Sequence, residues 1–447
     1  MISNWLYYCF TLVAATFILS SCLNSNEVDY SYSADAQITS VKISSDQDSL
    51  KILSDVNFSI DQVSSAPLIF NKDSLPYLFD ISMVSMNITT NRASGMKIYL
   101  VNPDSSYIWN MKDSVMIKKL NRIEVFAEDG KTTKTYTFQI RTHQQDPDTI
   151  YWQNVKNNYI AQPAEQKTVS NKNKFFTYYK ANNIVYLYTS PIGDVLTWTN
   201  QVLSGLPQDV LLTSIQNILI QEKETWYAID SNGKVYISVD GTKWNETSSS
   251  YSVKSIFGKM PSFTNDSILA VVKDGDKYKF AKTIDFSSIH VLNEIPFGFP
   301  VNNFTFTTIK DPLIYTAKYL IATGGKDLNN LTNKSVWILQ ENDNKITHTS
   351  KVLNFNVLGS SLFSYDKKIY LMTFEENKNV FYTSTNYGVF WEKASNKQSL
   401  PSGFIGRRNQ SVSVDSDNYI WIFGGISSNE TQLVEIWKGR INKLFTK

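Results

Sequence analysis

With 447 residues the chain is long enough for two or three domains. Charged residues make up 19% and the formal net charge is +2, which excludes an electrostatic footprint for nucleic acid or for an anionic membrane surface. Aromatic residues reach 13%, and together with frequent Val, Ile and Thr they favour strands over helices.

In chain order, the first feature is the apolar run WLYYCFTLVAATFIL at residues 5–19. It is too short to cross a hydrocarbon core of ~30 Å as a helix, and it suits the apolar region of a signal peptide. Leu19-Ser20-Ser21-Cys22 follows directly, before the polar run LNSNE. This resembles a bacterial lipoprotein signal. The resemblance implies removal of residues 1–21, a lipid on Cys22, and an outer-membrane lipoprotein that is periplasmic or surface-exposed. MISN, ahead of the apolar run, departs from the pattern in having no Lys or Arg. Cys9 lies in the part to be removed, so a mature chain would keep one cysteine and could close no internal disulfide.

Residues 22–33 are polar and small and read as a tether. Alternation begins with AQITSVKI at 36–43 and VNFSID at 56–61, and culminates in RIEVFAEDGKTTKTYTFQIR at 122–141. There Ile123, Val125 and Ala127 share one face, and Tyr136, Phe138 and Ile140 share it on the return, with a turn at DG between. The stretch resembles the last hairpin of cadherin-like or immunoglobulin-like β-sandwich modules, which implies such a domain over 34–143. HQQDPD at 143–148 breaks the alternation, because Pro147 cannot serve a central strand. A linker is expected at 144–148 and a second domain over 149–447.

The second domain repeats a unit of about 45–60 residues, the period of four-stranded propeller blades. IVYLYTSPIGDVLTWTNQ (184–201), NGKVYISVDGTKWNETS (232–248) and KNVFYTSTNYGVFWEKAS (378–395) each give a strand, a turn and a Trp-bearing outer strand. Weaker copies without that Trp lie at 278–296 and 336–353. The last unit, from SVSVDSDNYIWIFGG to LVEIWKGRINKL, shows three strands and lacks an outer one. DTIYWQNV at 148–155 supplies it. The fold expected is therefore all-β: an immunoglobulin-like sandwich, then a six-bladed propeller closed by a strand from its own N-terminal end. Trp152 is expected to take the place that Trp198, Trp244 and Trp391 take in their own blades.

SVDGTKW (238–244) and STNYGVFW (384–391) resemble Asp-boxes, the S-x-D-x-G-x-x-W turns of sialidase-type propellers. YLIATGG (319–325) before SVWIL, and YIWIFGG (419–425) before VEIWKG, resemble kelch blades. The combination resembles a family of uncharacterised two-domain lipoproteins of gut-type bacteria, which brings no established activity with it.

Sialidases need three arginines around a carboxylate. This chain has Arg92, Arg122 and Arg141 in the first domain, Arg440 in a strand, and Arg407 and Arg408 ahead of an inner strand. Neighbours on an extended chain point to opposite sides, so the last two are poorly placed to clamp one anion together. His143, His290 and His348 are scattered, DSDN at 415–418 lacks the later Glu of a calcium loop, and no glycine-rich phosphate loop occurs. No metal or other cofactor is expected. The loops GGKDLNNLTNKS (324–335) and GGISSNETQ (424–432) share one face of a propeller with Arg407 and Arg408. Arg407, Arg408, Asp327 and Asn329 are the binding candidates. The reading is a non-catalytic, lipid-anchored envelope protein whose propeller face holds a glycan or protein partner. The alternative is a glycan-active enzyme that uses the funnel.

Overall fold

The computed structural model describes residues 31–102, 104–262, 265–310, 313–314, 316–342 and 344–444. The apolar run at 5–19 and Cys22 lie outside the described residues. The chain divides into two compact units, Met1–Asp146 and Pro147–Lys447, so the boundary falls inside the linker expected at 144–148. The described residues are all-β, and no helix among them is long and apolar enough to cross a membrane.

The first unit has two sheets. One runs Ile38–Ser44, Met83–Thr90, Val115–Met116; the other runs Phe58–Asp61, Leu68–Asn71, Thr133–Gln139, Leu120–Ala127, Ala93–Leu100, Ser105–Trp109. They share one apolar core, with Ile38 and Val84 from the first sheet and Ile98, Ile123 and Val125 from the second. The hairpin expected at 122–141 is present and buries the face read from its alternation. Tyr136, fully buried on that face, ties the sheets together. Its hydroxyl accepts from Ile38 N at 3.0 Å and donates to Gln62 Oε1 at 2.7 Å.

The second unit is a β-propeller domain made of six four-stranded antiparallel sheets, plus a short pairing of Arg407–Arg408 with Ile426–Ser427. In chain order the sheets open on Glu165–Ser170, Gln216–Ile220, Ser252–Met260, Asn302–Lys310, Ser361–Tyr365 and Ser411–Val414, and are numbered 1 to 6 here. Each sheet meets the next. Phe176 lies 4.5 Å from Trp226 across sheets 1 and 2, and Gln216 Nε2 donates to Ile256 O at 2.7 Å across 2 and 3. Phe257 stacks on Phe304 at 4.0 Å across 3 and 4. Leu362 N donates to Thr305 Oγ1 at 2.8 Å across 4 and 5, and Ser361 Oγ to Gln410 O at 2.9 Å across 5 and 6. The circuit returns where Thr168 N of sheet 1 donates to Ser411 Oγ of sheet 6 at 2.9 Å. The first strands have a free edge, and these hydroxyls and amides satisfy backbone groups that would otherwise be orphaned.

Sheet 6 is built from both ends of the unit. Ile150–Asn157 pairs antiparallel with Glu435–Ile441, bringing Ile150 opposite Ile441 and Trp152 opposite Gly439. This is the pairing expected of DTIYWQNV. Trp152 lies flat across Gly439, where a Cβ would fall 2.4 Å from its Cε3. Its ring stacks on Phe381 of sheet 5 at 5.9 Å and 6°.

The place expected for Trp152 needs a correction. Trp198, Trp244 and Trp391 stand just before their outer strands and donate Nε1 to the carbonyl three residues back, at 2.9, 3.2 and 2.9 Å. Trp152 stands inside its strand, and its buried Nε1 has no partner. What the four share is the neighbour, because each packs against the preceding sheet. The turns before Trp244 and Trp391 are capped alike. Asp240 accepts from Thr242 N and Lys243 N, and Asn386 from Phe390 N. Desolvation raises Asp240, but those amides outweigh it and hold its carboxyl at about 2.

Trp152→Ala is expected to lower the stability of the propeller's unfolding transition by about 3–5 kcal/mol in chemical denaturation. Gly439→Ala should also destabilise, because the new methyl and the indole cannot share the site. Unchanged midpoints for both variants would show that the indole does not hold the strand.

Candidate binding face of the propeller

Two loops connect the second and third strands of sheets 4 and 6, and they correspond at an offset of 100 residues. Each follows a double glycine with positive φ, at 68° and 69° for Gly324 and Gly325 and at 54° and 104° for Gly424 and Gly425. A side chain at Gly325 would put Cβ 2.3 Å from Asn302 O, so the close approach of two backbones demands glycine there. In both loops a left-handed residue follows, Asn330 at 61° and Glu430 at 59°. Both then close on the second glycine, with Asn333 N donating to Gly325 O at 3.0 Å and Leu433 N to Gly425 O at 2.8 Å. Their sequences differ at most other positions, and one difference bears on a tryptophan. Asn333 accepts from Trp337 Nε1 at 3.1 Å, whereas Leu433 offers no acceptor and the Nε1 of Trp437 is left buried without a partner.

Asp327 is buried and caps its own loop, accepting from Asn329 N at 2.8 Å and Leu331 N at 2.9 Å. It holds the loop's shape and does not present a carboxylate outward. Asn329 is exposed beside it.

The expectation that Arg407 reaches a ligand is corrected by its burial. Its side chain is 0% exposed. Nε donates to Ile405 O at 2.9 Å, Nη1 to Gly424 O at 3.0 Å and Nη2 to Glu435. The guanidinium also lies 4.0 Å over the Phe404 ring. Glu435 Oε2 in turn accepts from Asn154 Nδ2 at 3.2 Å, so the network reaches the strand Ile150–Asn157. Arg408 points the other way, as alternation requires, and donates from Nη2 to both carboxylate oxygens of exposed Glu430 at 2.7 and 2.5 Å.

At the foot of the second loop lies a shallow depression of about 410 Å³, lined by Asn157, Asn158, Gln162, Gln432, Leu433, Val434 and Glu435. Gln432 ends the loop 424–432 read from the sequence as part of the face, whereas Asn157, Asn158, Gln162 and Glu435 belong to no motif. Their only shared signal is a concentration of Asn and Gln on either side of the pairing between 150–157 and 435–441. Elsewhere, Glu375 and Glu376 form a tight hairpin turn in which Glu375 accepts from Thr373 and Tyr382. Asp415 caps the turn of DSDN by accepting from Asp417 N and Tyr419 N. No group of three or more His, Cys, Asp or Glu suited to a metal occurs among the described residues.

Residues 146–447 match the DUF6242 beta propeller domain, and residues 32–140 match the DUF6242 N-terminal domain, a domain of unknown function. The chain belongs to the DUF6242 family. Among curated proteins none matches this DUF6242 chain. Solved structures resemble it at the level of fold. One is a protein of unknown function from Dyadobacter fermentans, at 11% identity and TM-score 0.44, covering 66% of this chain and 99% of that one. Another is YjhT, at 10% and 0.41, covering 62% and 94%. A third is the polysaccharide lyase Uly1, at 9% and 0.38, covering 73% and 86%. At these values the likeness carries no argument about activity.

Removing one partner of a buried ion pair leaves the other charge uncompensated. Arg407→Met is therefore expected to cost about 3–5 kcal/mol in denaturant titrations. Arg408→Ala, which breaks an exposed pair, should cost under about 1 kcal/mol. Equal and small effects would return Arg407 to the list of ligand-facing residues.

Proposed function

We propose that this DUF6242 protein is a non-catalytic, lipid-anchored protein of the cell envelope, a tethered binding module that presents one propeller face to a glycan or protein partner. Cys22 carries the lipid and residues 22–33 act as the tether. The first unit is an immunoglobulin- or cadherin-like sandwich serving as a spacer. Two sheets on one core and the hairpin at 122–141 support that assignment. The propeller has six blades, a count supported by six four-stranded sheets whose first strands follow one another in a circuit. Its Trp-bearing turns are Asp-boxes and its double-glycine sheets are kelch-like.

The observation that carries the reading is the pair of matching loops at 324–334 and 424–434. They repeat one conformation at the same position in two sheets, and a depression of about 410 Å³ opens beside the second. Internal capping keeps both loops in shape, so their exposed side chains are held ready rather than ordered on contact, which favours binding.

Two measurements test the proposal. The unaltered protein should partition into the detergent phase and Cys22→Ala should move it to the aqueous phase; an unaltered protein found wholly in the aqueous phase removes the anchor. Incubation of the purified protein with polysaccharides should give saturable retention without new reducing ends or unsaturated products. Turnover that a single Asp or Glu substitution abolishes would contradict the non-catalytic reading and establish the enzyme.

A further inference from the structure

We propose that the depression beside the strand Ile150–Asn157 is a binding site for a neutral, hydroxyl-rich ligand, a segment of an uncharged glycan. This rests on the reading of the propeller face as a binding face and names the ligand class and the site within it.

The lining has one charged group, Glu435, and its charge is met by Arg407 on one oxygen and by Asn154 on the other. No Lys or Arg lines the depression, so it offers nothing to balance a carboxylate, sulfate or phosphate. The remaining polar side chains are amides, of which Gln432 is engaged with Ala164 O and Gln166, while Asn157, Asn158 and Gln162 have valences to spare. Asn157 accepts from Asn154 Nδ2 at 3.1 Å through Oδ1, which leaves its own Nδ2 available. Gln162 donates through Nε2 to Gln432 O at 2.9 Å, which leaves its Oε1. Asn158 is exposed and is held at φ 53° at the end of the strand. A sugar hydroxyl is both donor and acceptor, and an amide side chain answers both. Leu433 and Val434, also in the lining, add apolar surface for the C–H face of a ring. The volume of about 410 Å³ lies within the range of small-ligand sites, about 300–1,000 Å³.

The site also straddles the join. Asn157 and Asn158 come from the beginning of the propeller, and Gln432 and Glu435 from its end. A ligand touching both sides binds only the joined state and must raise its melting temperature.

The test uses the full chain and an array of neutral oligosaccharides of glucose, mannose, xylose, arabinose and N-acetylhexosamine, with acidic oligosaccharides of uronic acids, sialic acid and sulfated sugars beside them. At least one neutral oligosaccharide should bind by calorimetry, raise the melting temperature and keep its affinity as salt is raised. The double variant Asn158→Gly, Gln162→Ala should lower that affinity by about tenfold or more while its unliganded melting temperature changes little, since both side chains are exposed and glycine accepts the positive φ of position 158. The shape-preserving Asn158→Asp guards against a folding effect and should also weaken binding. Binding of acidic sugars only, or of no sugar in the array, overturns the ligand class. Neutral binding that survives the double variant but is lost on Leu328→Ser, Leu331→Ser, two exposed residues of the first long loop, overturns this site while leaving the binding face intact. Capture of a protein partner with every sugar inert overturns the glycan and keeps the face.

Discussion

The C-terminal part of the chain gives the last sheet only three strands, and the pairing of Ile150–Asn157 with Glu435–Ile441 supplies the fourth, so that one sheet holds both ends of the unit. The two segments are almost three hundred residues apart in sequence, so the pairing carries the largest loop-closure cost in the unit and must be well specified to form. Specification comes from both sides. Gly439 leaves the space into which the Trp152 indole lies, and Phe381 of sheet 5 provides the surface beneath it. Asn154 reaches Glu435, which holds the buried guanidinium of Arg407, which in turn bonds the carbonyl of Gly424 at the base of the second long loop. The shape of the candidate binding face therefore depends on the same join that completes the last sheet.

The fold was legible where period and punctuation are strong. Alternation at 122–141, the DG and YG turns before Trp244 and Trp391, and the missing outer strand of the last unit all led to elements that are present. The turn of sheet 3 was harder to read because a different residue does the same work. Phe286 occupies the left-handed position, at φ 64°, that Gly241 and Gly388 occupy at 75° and 91°. It is fully buried, and its ring packs on Tyr227 of the preceding sheet at 5.4 Å, as Trp244 and Trp391 pack on the sheets that precede their own. The extra backbone cost of a bulky residue there is offset by that packing. Neither the Gly nor the Trp of the turn is present, so only its capping Thr283 and Asp285 remain as a signal.

The site was less legible than the fold. Arg407 looked available because cationic residues on loops usually are, but a guanidinium that finds carbonyls and a carboxylate within its fork can be buried. Its partner Glu435 gave no sign of that role, being 28 residues away in sequence. Asp327 looked like a ligand-facing acid and serves as a cap, a role that Asp in a GGxD loop fills through its own backbone amides. The depression escaped notice because it is formed by side chains from opposite ends of the domain, and only the register of Ile150–Asn157 on Glu435–Ile441 brings them together.

The most direct test of this account is native-state hydrogen exchange on the whole chain, resolved at the amides of 150–157 and 435–441. If the join holds the ring, those amides exchange only through the global opening of the propeller, at the same free energy as the second strands of sheets 2 to 5. If residues 150–157 instead exchange by local fraying while the other sheets stay protected, the strand is an appendage and the ring does not depend on it.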